Sequence, residues 1–457
     1  MLDTQVKNQF INILGKDRYL DRIEEVACYA YDAFVVEAAP DAVLFPETTT
    51  EVSELLKIAS TYKIPVTCRG AGTSLCGASV PIRQGIVLCF SKMDTILEIN
   101  TRDRYIIVQP GVVNADVQKA LLPFRFFYPP DPGSMNTSTI GGNIAMNAGG
   151  PRCLKYGVTV DYVLGMEVVL ASGDIVRFGS RNVKDVTGYR LSSLFCGSEG
   201  TMGIVTEAIL KVVPLPEAIR TLMVTFDNLD NTAKSVTDII GAGIIPVAME
   251  LMDKMTLNAI EDAANLGLDR NAEGSLIIEI DGVKEACEKE MNKVIERVRQ
   301  NGAIHIQEAA SDSEREKLWT ARRSAYGVFA KLAPDIVTED VTVPVSKVPL
   351  MIRQIMEIGD KYGLKVGVLA HAGDGNMHPM IPANKEDKVE WEKVKSAFSD
   401  IFQAAAKLGG TLSGEHGIGL AKAEFLPLVM NQDTMNFMKK IKQAIDPDLI
   451  LNPGKFV

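Results

Sequence analysis

Hydrophobic positions in the first half of the chain switch between a helical period and short strand-sized runs. Over 50–62 the apolar residues Val52, Leu55, Leu56 and Ala59 fall on one stripe, with Glu51 and Glu54 in the first turn. That spacing predicts a helix capped by Thr50. Strand-sized apolar runs occupy 64–68, 86–90, 105–109, 165–170 and 204–213, and Ser172-Gly173-Asp174 predicts a hairpin turn between Val169 and Ile175. Pro214 and Pro216 interrupt the pattern and predict a domain boundary. Beyond them, strands at 220–226, 247–251, 276–280 and 303–307 are separated by longer helices, among them a strongly charged one over 283–300. This order predicts an α+β arrangement, a ferredoxin-like sheet covered by helices. The expected organisation is a first domain over 1–215, a second over 216–440, and a turn-rich tail over 441–457 that returns to the first.

Composition narrows the function classes. The chain has 457 residues, 46% hydrophobic and 23% charged, with a formal net charge of -10; its pI is near 5.2. An acidic chain of this kind argues against a nucleic-acid binder and gives no sign of a polybasic membrane patch. The longest apolar stretches are strand-sized, so no transmembrane segment is expected, and the mixed N-terminus lacks the layout of a secretory signal. The expected location is the cytoplasm. Seven scattered cysteines without a Cys-x-x-Cys pair predict reduced thiols, with neither a disulfide framework nor an iron–sulfur cluster.

Three Gly-rich loops carry the candidate binding chemistry. Arg69-Gly70-Ala71-Gly72-Thr73-Ser74 follows a predicted strand directly and can aim consecutive backbone N–H groups at a pyrophosphate. Leu75 stands where a dinucleotide fingerprint needs its third glycine, and no Gly-Lys-Ser/Thr follows, so the loop is neither of the two common phosphate motifs. The second region runs from Pro129-Pro130-Asp131-Pro132-Gly133-Ser134 through Ser138-Thr139-Ile140-Gly141-Gly142-Asn143 to Asn147-Ala148-Gly149-Gly150. Its composition predicts no regular helix, but it offers amides, hydroxyls and bare backbone to a long polar ligand. The third is Gly197-Ser198-Glu199-Gly200-Thr201-Met202-Gly203, ahead of Ile204.

Together these loops resemble the FAD-binding domain of the vanillyl-alcohol oxidase type of flavoprotein. The resemblance implies that the first loop binds the pyrophosphate while the second and third enclose the adenosine and isoalloxazine parts. The candidate cofactor contacts are Arg69 to Ser74, Pro130, Asp131, Gly133, Ser134, Thr139, Gly142, Asn143, Asn147, Glu199, Gly203, Ile204 and, in the tail, Asn452. Some relatives attach FAD through a histidine of this domain. No histidine precedes His305 here, so non-covalent FAD is expected.

Three of the four histidines fall in two short motifs. In His371-Ala372-Gly373-Asp374-Gly375-Asn376-Met377-His378 the glycines disfavour a helix and predict a tight turn that brings the second imidazole back beside the first, half of a metal site. In Ser413-Gly414-Glu415-His416-Gly417, Glu415 could complete a two-histidine, one-carboxylate site and His416 could act as a base. His305 sits in an ordinary strand and is read as structural. Trp319-Thr320-Ala321-Arg322, the two histidine motifs and the tail Leu451-Asn452-Pro453-Gly454-Lys455 extend the resemblance. They are similar to the C-terminal part of FAD-linked D-2-hydroxy-acid dehydrogenases, a group that includes flavin-dependent D-lactate dehydrogenases and the flavin subunit of glycolate oxidase.

That resemblance implies His371, His378 and Glu415 as ligands of a divalent metal (Zn, Fe or Mn), His416 as the base and Arg322 as the partner of the substrate carboxylate. A guanidinium suits that last role because it pairs bidentately with carboxylate. Tyr326, one helical turn beyond Arg322, and Asn376 are further candidates for substrate contact. Members that act on hydroxyglutarate carry polar or basic groups where Thr338 and Met380 stand here, which implies a small substrate, D-lactate first and glycolate next. Relatives pass electrons to electron-transfer flavoprotein or to an iron–sulfur subunit, and the former is expected. The competing expectations are an alditol or sugar oxidase using O₂ and a flavin electron-relay subunit. A zinc hydrolase is disfavoured by the three flavin-type loops.

Overall fold

The computed structural model describes residues 2–456, with residue 264 described by its backbone alone. The chain clusters into two units. The first comprises the residues up to Gly149, Val158–Leu215 and the stretch from Glu415 onward; the second comprises Gly150–Gly157 and Pro216–Gly414. Return to the first unit therefore begins at Glu415, well ahead of the tail expected at 441. No helix among the described residues is long and apolar enough to cross a membrane. All seven cysteines are free thiols.

The first unit contains two sheets. One has four strands, in which Ala42–Leu44, Ile86–Cys89 and Val66–Arg69 run parallel. Helices Thr4–Leu14 and Thr49–Tyr62 pack their apolar residues, among them Phe10, Leu55 and Leu56, into a core shared with Leu44, Val66 and Leu88. The other sheet is an antiparallel five-stranded one built on Ile204–Lys211, and its Val163–Val169 and Ile175–Gly179 strands form the predicted hairpin with Val169 opposite Ile175.

Two sequence expectations are corrected here. The 49–62 helix is capped by Thr48, whose hydroxyl accepts the Glu51 N–H, rather than by Thr50; the Thr49 hydroxyl is spent on Glu167 at 2.7 Å. The Gly-rich second loop does hold a regular helix, Ile140–Met146. Thr139 caps it by accepting the Gly142 N–H, and a Cβ on Gly141 would lie 2.6 Å from Pro110, so glycine is what allows the helix to sit this close.

The C-terminal residues add a short edge to the parallel sheet. Val66 donates its N–H to the Ile450 carbonyl at 2.8 Å, and Asn452 donates to the Val66 carbonyl at 2.7 Å. What holds the tail there is a buried ion pair. Lys442 binds the Asp446 carboxylate and the carbonyls of Thr201 and Leu451, while Asp446 also accepts the Leu451 N–H at 2.8 Å. Burial pulls the lysine below its ordinary pKa despite the neighbouring Asp446.

The second unit is organised on an eight-stranded antiparallel sheet. Its order is Ala303–Glu308, Ala218–Phe226, Gly274–Gly282, Ala248–Asp253, Gly367–His371, Asn376–Ala383 and Asp335–Thr338, with Val341–Thr342 pairing beside the Asn376–Ala383 strand. Helices cover this sheet, including Asp312–Phe329, whose Leu318, Trp319, Ala325 and Phe329 pack with Met252, Leu257 and Leu369.

Removing the lysine while keeping the buried aspartate leaves an uncompensated charge in the first unit. Lys442→Ala is expected to lower stability by about 3–5 kcal/mol in chemical denaturation, with Lys442→Met/Asp446→Asn losing much less. Equal losses for the two variants would contradict this account.

Candidate functional site

Two groups of candidate residues converge, one in each unit. In the first unit a solvent-open cleft of about 70 Å³ is lined by all three Gly-rich loops: Arg69 and Gly70 from the first, Thr139, Gly141 and Gly142 from the second, and Ser198, Gly200, Gly203 and Ile204 from the third. Glycine makes the convergence possible. A Cβ on Gly70 would fall 2.2 Å from the Thr139 hydroxyl, and one on Gly203 would fall 2.8 Å from the Phe195 ring. Close by in sequence, the Asn143 Nδ2 and the Ser138 hydroxyl are buried without a hydrogen-bond partner among the described residues. A buried donor left this way is costly unless a ligand satisfies it.

In the second unit the turn between Gly367–His371 and Asn376–Ala383 does what its glycines predict. His371 pairs with Asn376, and His378 with Leu369, which puts the two imidazoles on one face in diagonal positions, their ring centroids 5.0 Å apart. The neighbouring strand places Glu250 directly opposite His371. The His371 Nδ1 lies 2.7 Å from one Glu250 oxygen, and the Arg322 Nε donates to the other at 2.5 Å. The Arg322 Nη2 is 3.5 Å from the same imidazole nitrogen. Glu250 has no exposed surface; burial alone would push its carboxyl up, but the Arg322 and His371 charges hold it below the usual carboxylate range.

Glu415 directly follows Gly414, whose N–H is fixed on the buried Asp340 carboxylate at 2.6 Å, with the Ser413 hydroxyl on the same group at 2.8 Å. Within the second unit His371 and His378 are both buried and offer two imidazole nitrogens from one face. Two imidazoles held this way are half of a donor set for a divalent cation, which one carboxylate would complete. Of the other candidates, Asn376 is buried and its carbonyl accepts the Thr342 hydroxyl, Tyr326 lies half out of the surface one turn beyond Arg322, and His416 is half-buried beside Glu415.

Comparison with known proteins decides the family. The pattern of FAD linked oxidases, C-terminal domain, matches residues 215–456, and that of an FAD binding domain matches 40–179. The chain belongs to the FAD-linked oxidases. It is 46% identical to the glycolate oxidase subunit GlcD of Bacillus subtilis over 456 residues, covering 100% of this chain and 97% of that one. It is 34% identical to a D-lactate dehydrogenase of Archaeoglobus fulgidus, over 94% of this chain and 95% of the relative. Among solved structures, p-cresol methylhydroxylase superposes with a TM-score of 0.83 at 18% identity, covering 99% of this chain and 96% of that one. A 4-ethylphenol oxidase from Gulosibacter chungangensis does so with 0.78 at 21%, over 99% and 96%. At those identities the likeness is one of fold, the α+β vanillyl-alcohol oxidase type.

The residues of this FAD-linked oxidase fit the cofactor that its family implies. The cleft offers bare backbone at Gly70, Gly142 and Gly203, the cationic Arg69, and the buried Asn143 and Ser138 donors beside it, a set suited to a pyrophosphate and its ribose. Other predicted contacts lie outside the cleft lining: Ala71, Gly72, Thr73, Ser74, Pro130, Asp131, Gly133, Ser134, Asn147, Glu199 and Asn452. Several of these have polar atoms engaged by the protein. The Ser74 hydroxyl accepts the Cys76 and Ala78 N–H groups, the Asn147 carbonyl accepts the Val160 N–H, and the Asn452 amide donates to the Ala78 and Glu199 carbonyls.

Glu199 is the most instructive. Its carboxylate accepts the Ile418 and Gly419 N–H groups, both at 2.8 Å, and so ties the third loop to the backbone just after His416. Burial pushes its carboxyl from 4.5 up to about 7 in spite of those bonds. Sequence reading missed Glu250 and Asp340. The available signal for Glu250 was a lone acid inside the apolar run Val247-Ala248-Met249-Glu250-Leu251, a position where an acid must be paired.

A carboxyl whose pKa is raised in the fold contributes stability that is present below pH 4.5 and lost as pH rises through about 7. Glu199→Gln stays neutral throughout. The stability of the variant minus that of the wild type, measured by urea denaturation, is therefore expected to grow across this window by up to about 3 kcal/mol and then level off. A difference that stays flat from acid to neutral pH would contradict the assignment.

Proposed function

We propose that this FAD-linked oxidase oxidises a small 2-hydroxy acid, D-lactate or glycolate, to the 2-oxo acid in the cytoplasm. FAD would be held non-covalently by the first unit. A divalent cation (Zn, Fe or Mn) would be held by His371, His378 and Glu415. The observation that carries this reading is the pair of buried imidazoles beside an arginine already oriented by Glu250. The names of the Bacillus and Archaeoglobus relatives supply the substrate class.

Within that reading each residue has a chemical task. With its Nε committed to Glu250, Arg322 offers its Nη groups to the substrate carboxylate, which fixes the acid end and the direction of the C2 hydrogen. Tyr326 and Asn376 border the substrate. His371, His378 and Glu415 would hold the cation, which would supply Lewis acidity for the hydroxyl group. His416 takes the hydroxyl proton on a ring nitrogen. FAD, when bound, supplies the hydride acceptor.

Thr338 and Met380 face each other across neighbouring strands, and Met380 is packed into the apolar cluster with Met252 and Leu369. Neither offers a cation for a second carboxylate, which favours a monocarboxylic substrate. The Bacillus relative is named as a subunit, which supports passage of electrons to a partner protein, an electron-transfer flavoprotein or an iron–sulfur subunit, with the former preferred.

His416→Ala is expected to retain the flavin absorbance of the wild type and to lose about two to four orders of magnitude in turnover. Near-normal turnover would reject His416 as the base. Anaerobic mixing with D-lactate, glycolate, L-lactate and a polyol tests the substrate class. Bleaching of the flavin by one of the first two supports the proposal, whereas bleaching by the polyol alone overturns it.

A further inference from the structure

The Glu250 carboxylate serves two different working groups at once. The His371 Nδ1 straddles both of its oxygens at 2.7 and 2.9 Å, and the second oxygen accepts the Arg322 Nε–H at 2.5 Å. The acid is wholly buried in the strand Ala248–Asp253, so its geometry is set by sheet register on one side, where it pairs across the ladder with His371, and by the helix Asp312–Phe329 on the other.

We propose that Glu250 is a positioning residue for both halves of the substrate site: it fixes His371 in the tautomer that presents Nε2 to a cation, and it turns Arg322 so that its Nη groups meet the substrate carboxylate. This rests on the two-histidine cation reading given above. An ionised acid facing Nδ1 requires the proton on that nitrogen, which leaves the lone pair on Nε2. The same acid neutralises Arg322 without consuming its terminal nitrogens.

The neighbouring strand supplies an internal contrast. Glu279 is likewise buried and is paired with Arg315 through two hydrogen bonds of 2.7 and 2.8 Å, but its other partners are the Trp319 indole and the Thr221 hydroxyl, not a histidine. The helix thus repeats one construction, a buried sheet acid gripping a helix arginine, and only the Glu250 copy reaches a metal-type ligand. A purely structural role would make the two acids equivalent.

The test uses the full-length protein stripped of metal by a chelator and reloaded with Zn²⁺ in competition with a chromophoric chelator. Glu250→Gln is expected to weaken Zn²⁺ binding about 10–100-fold, with Glu279→Gln within about twofold of wild type. With Zn²⁺ saturating, Glu250→Gln should still show a raised KM for the hydroxy acid, because Arg322 has lost its anchor. Should Glu250→Gln fail to fold, the wild type still decides: ¹⁵N-histidine NMR, with only four histidines to assign, should report His371 protonated at Nδ1.

An Nε2-protonated His371 in the wild type, or equal Zn²⁺ affinity in wild type and Glu250→Gln, overturns the inference while leaving the proposed ligand set intact. Failure of the wild type to take up Zn²⁺ at all, or Mn²⁺ or Fe²⁺ in its place, overturns both.

Discussion

A carboxylate with no exposed surface stays ionised in a sheet core only if its charge is matched at hydrogen-bond distance. Glu250 meets that condition through Arg322 and His371, and much of the second unit's local structure follows from it. The strand register that sets Glu250 opposite His371 also fixes the turn carrying His378. The helix that brings Arg322 is anchored at Arg315 and Trp319 by the parallel acid Glu279. Positions 315, 319 and 322 are one helical stripe, so a single face of one helix answers two buried acids on adjacent strands. Charge pairing, rather than apolar packing alone, makes the position of this helix specific.

The first unit solves a different problem, the approach of three loops to one polar ligand. Its device is the absence of side chains. Gly70, Gly141 and Gly203 stand where any Cβ would collide with Thr139, Pro110 and Phe195. The loops are then tied by groups that do not line the cleft. Glu199 grips the backbone after His416, Asn452 bridges the Ala78 carbonyl and the third loop, and Lys455 donates to the Gly77 and Val80 carbonyls. The C-terminal segment is in this sense part of the loop scaffold, which explains why buried lysines occur so near the end of an acidic chain.

Much of this was legible in the sequence. Strand-sized apolar runs, the hairpin at Ser172-Gly173-Asp174 and the glycine turn returning His378 to His371 are local patterns, set by residues within one or two turns of each other. What was hidden depends on long-range register. Glu250 lies 121 positions from His371, and Glu199 lies 220 positions from Gly419. No periodicity shows that a strand in one part of the chain will pair with a strand more than a hundred residues away. The helix Ile140–Met146 was hidden for another reason. Glycine's poor intrinsic propensity argues against a helix, and tertiary contact with Pro110 overrides it. The Glu199 carboxylate and the Asn452 amide nitrogen bond the chain's own backbone, bonds that no local pattern shows, while the Asn452 Oδ1 is buried without a partner among the described residues.

The central claim is that His371, His378 and Glu415 share one divalent cation. Anomalous diffraction from crystals of the protein loaded with Zn²⁺, recorded on both sides of the zinc edge, tests it most directly. The account predicts one strong peak about 2.0–2.2 Å from a nitrogen of each histidine and an oxygen of Glu415. A peak bound elsewhere, or none at these residues in crystals of catalytically active protein, would contradict it.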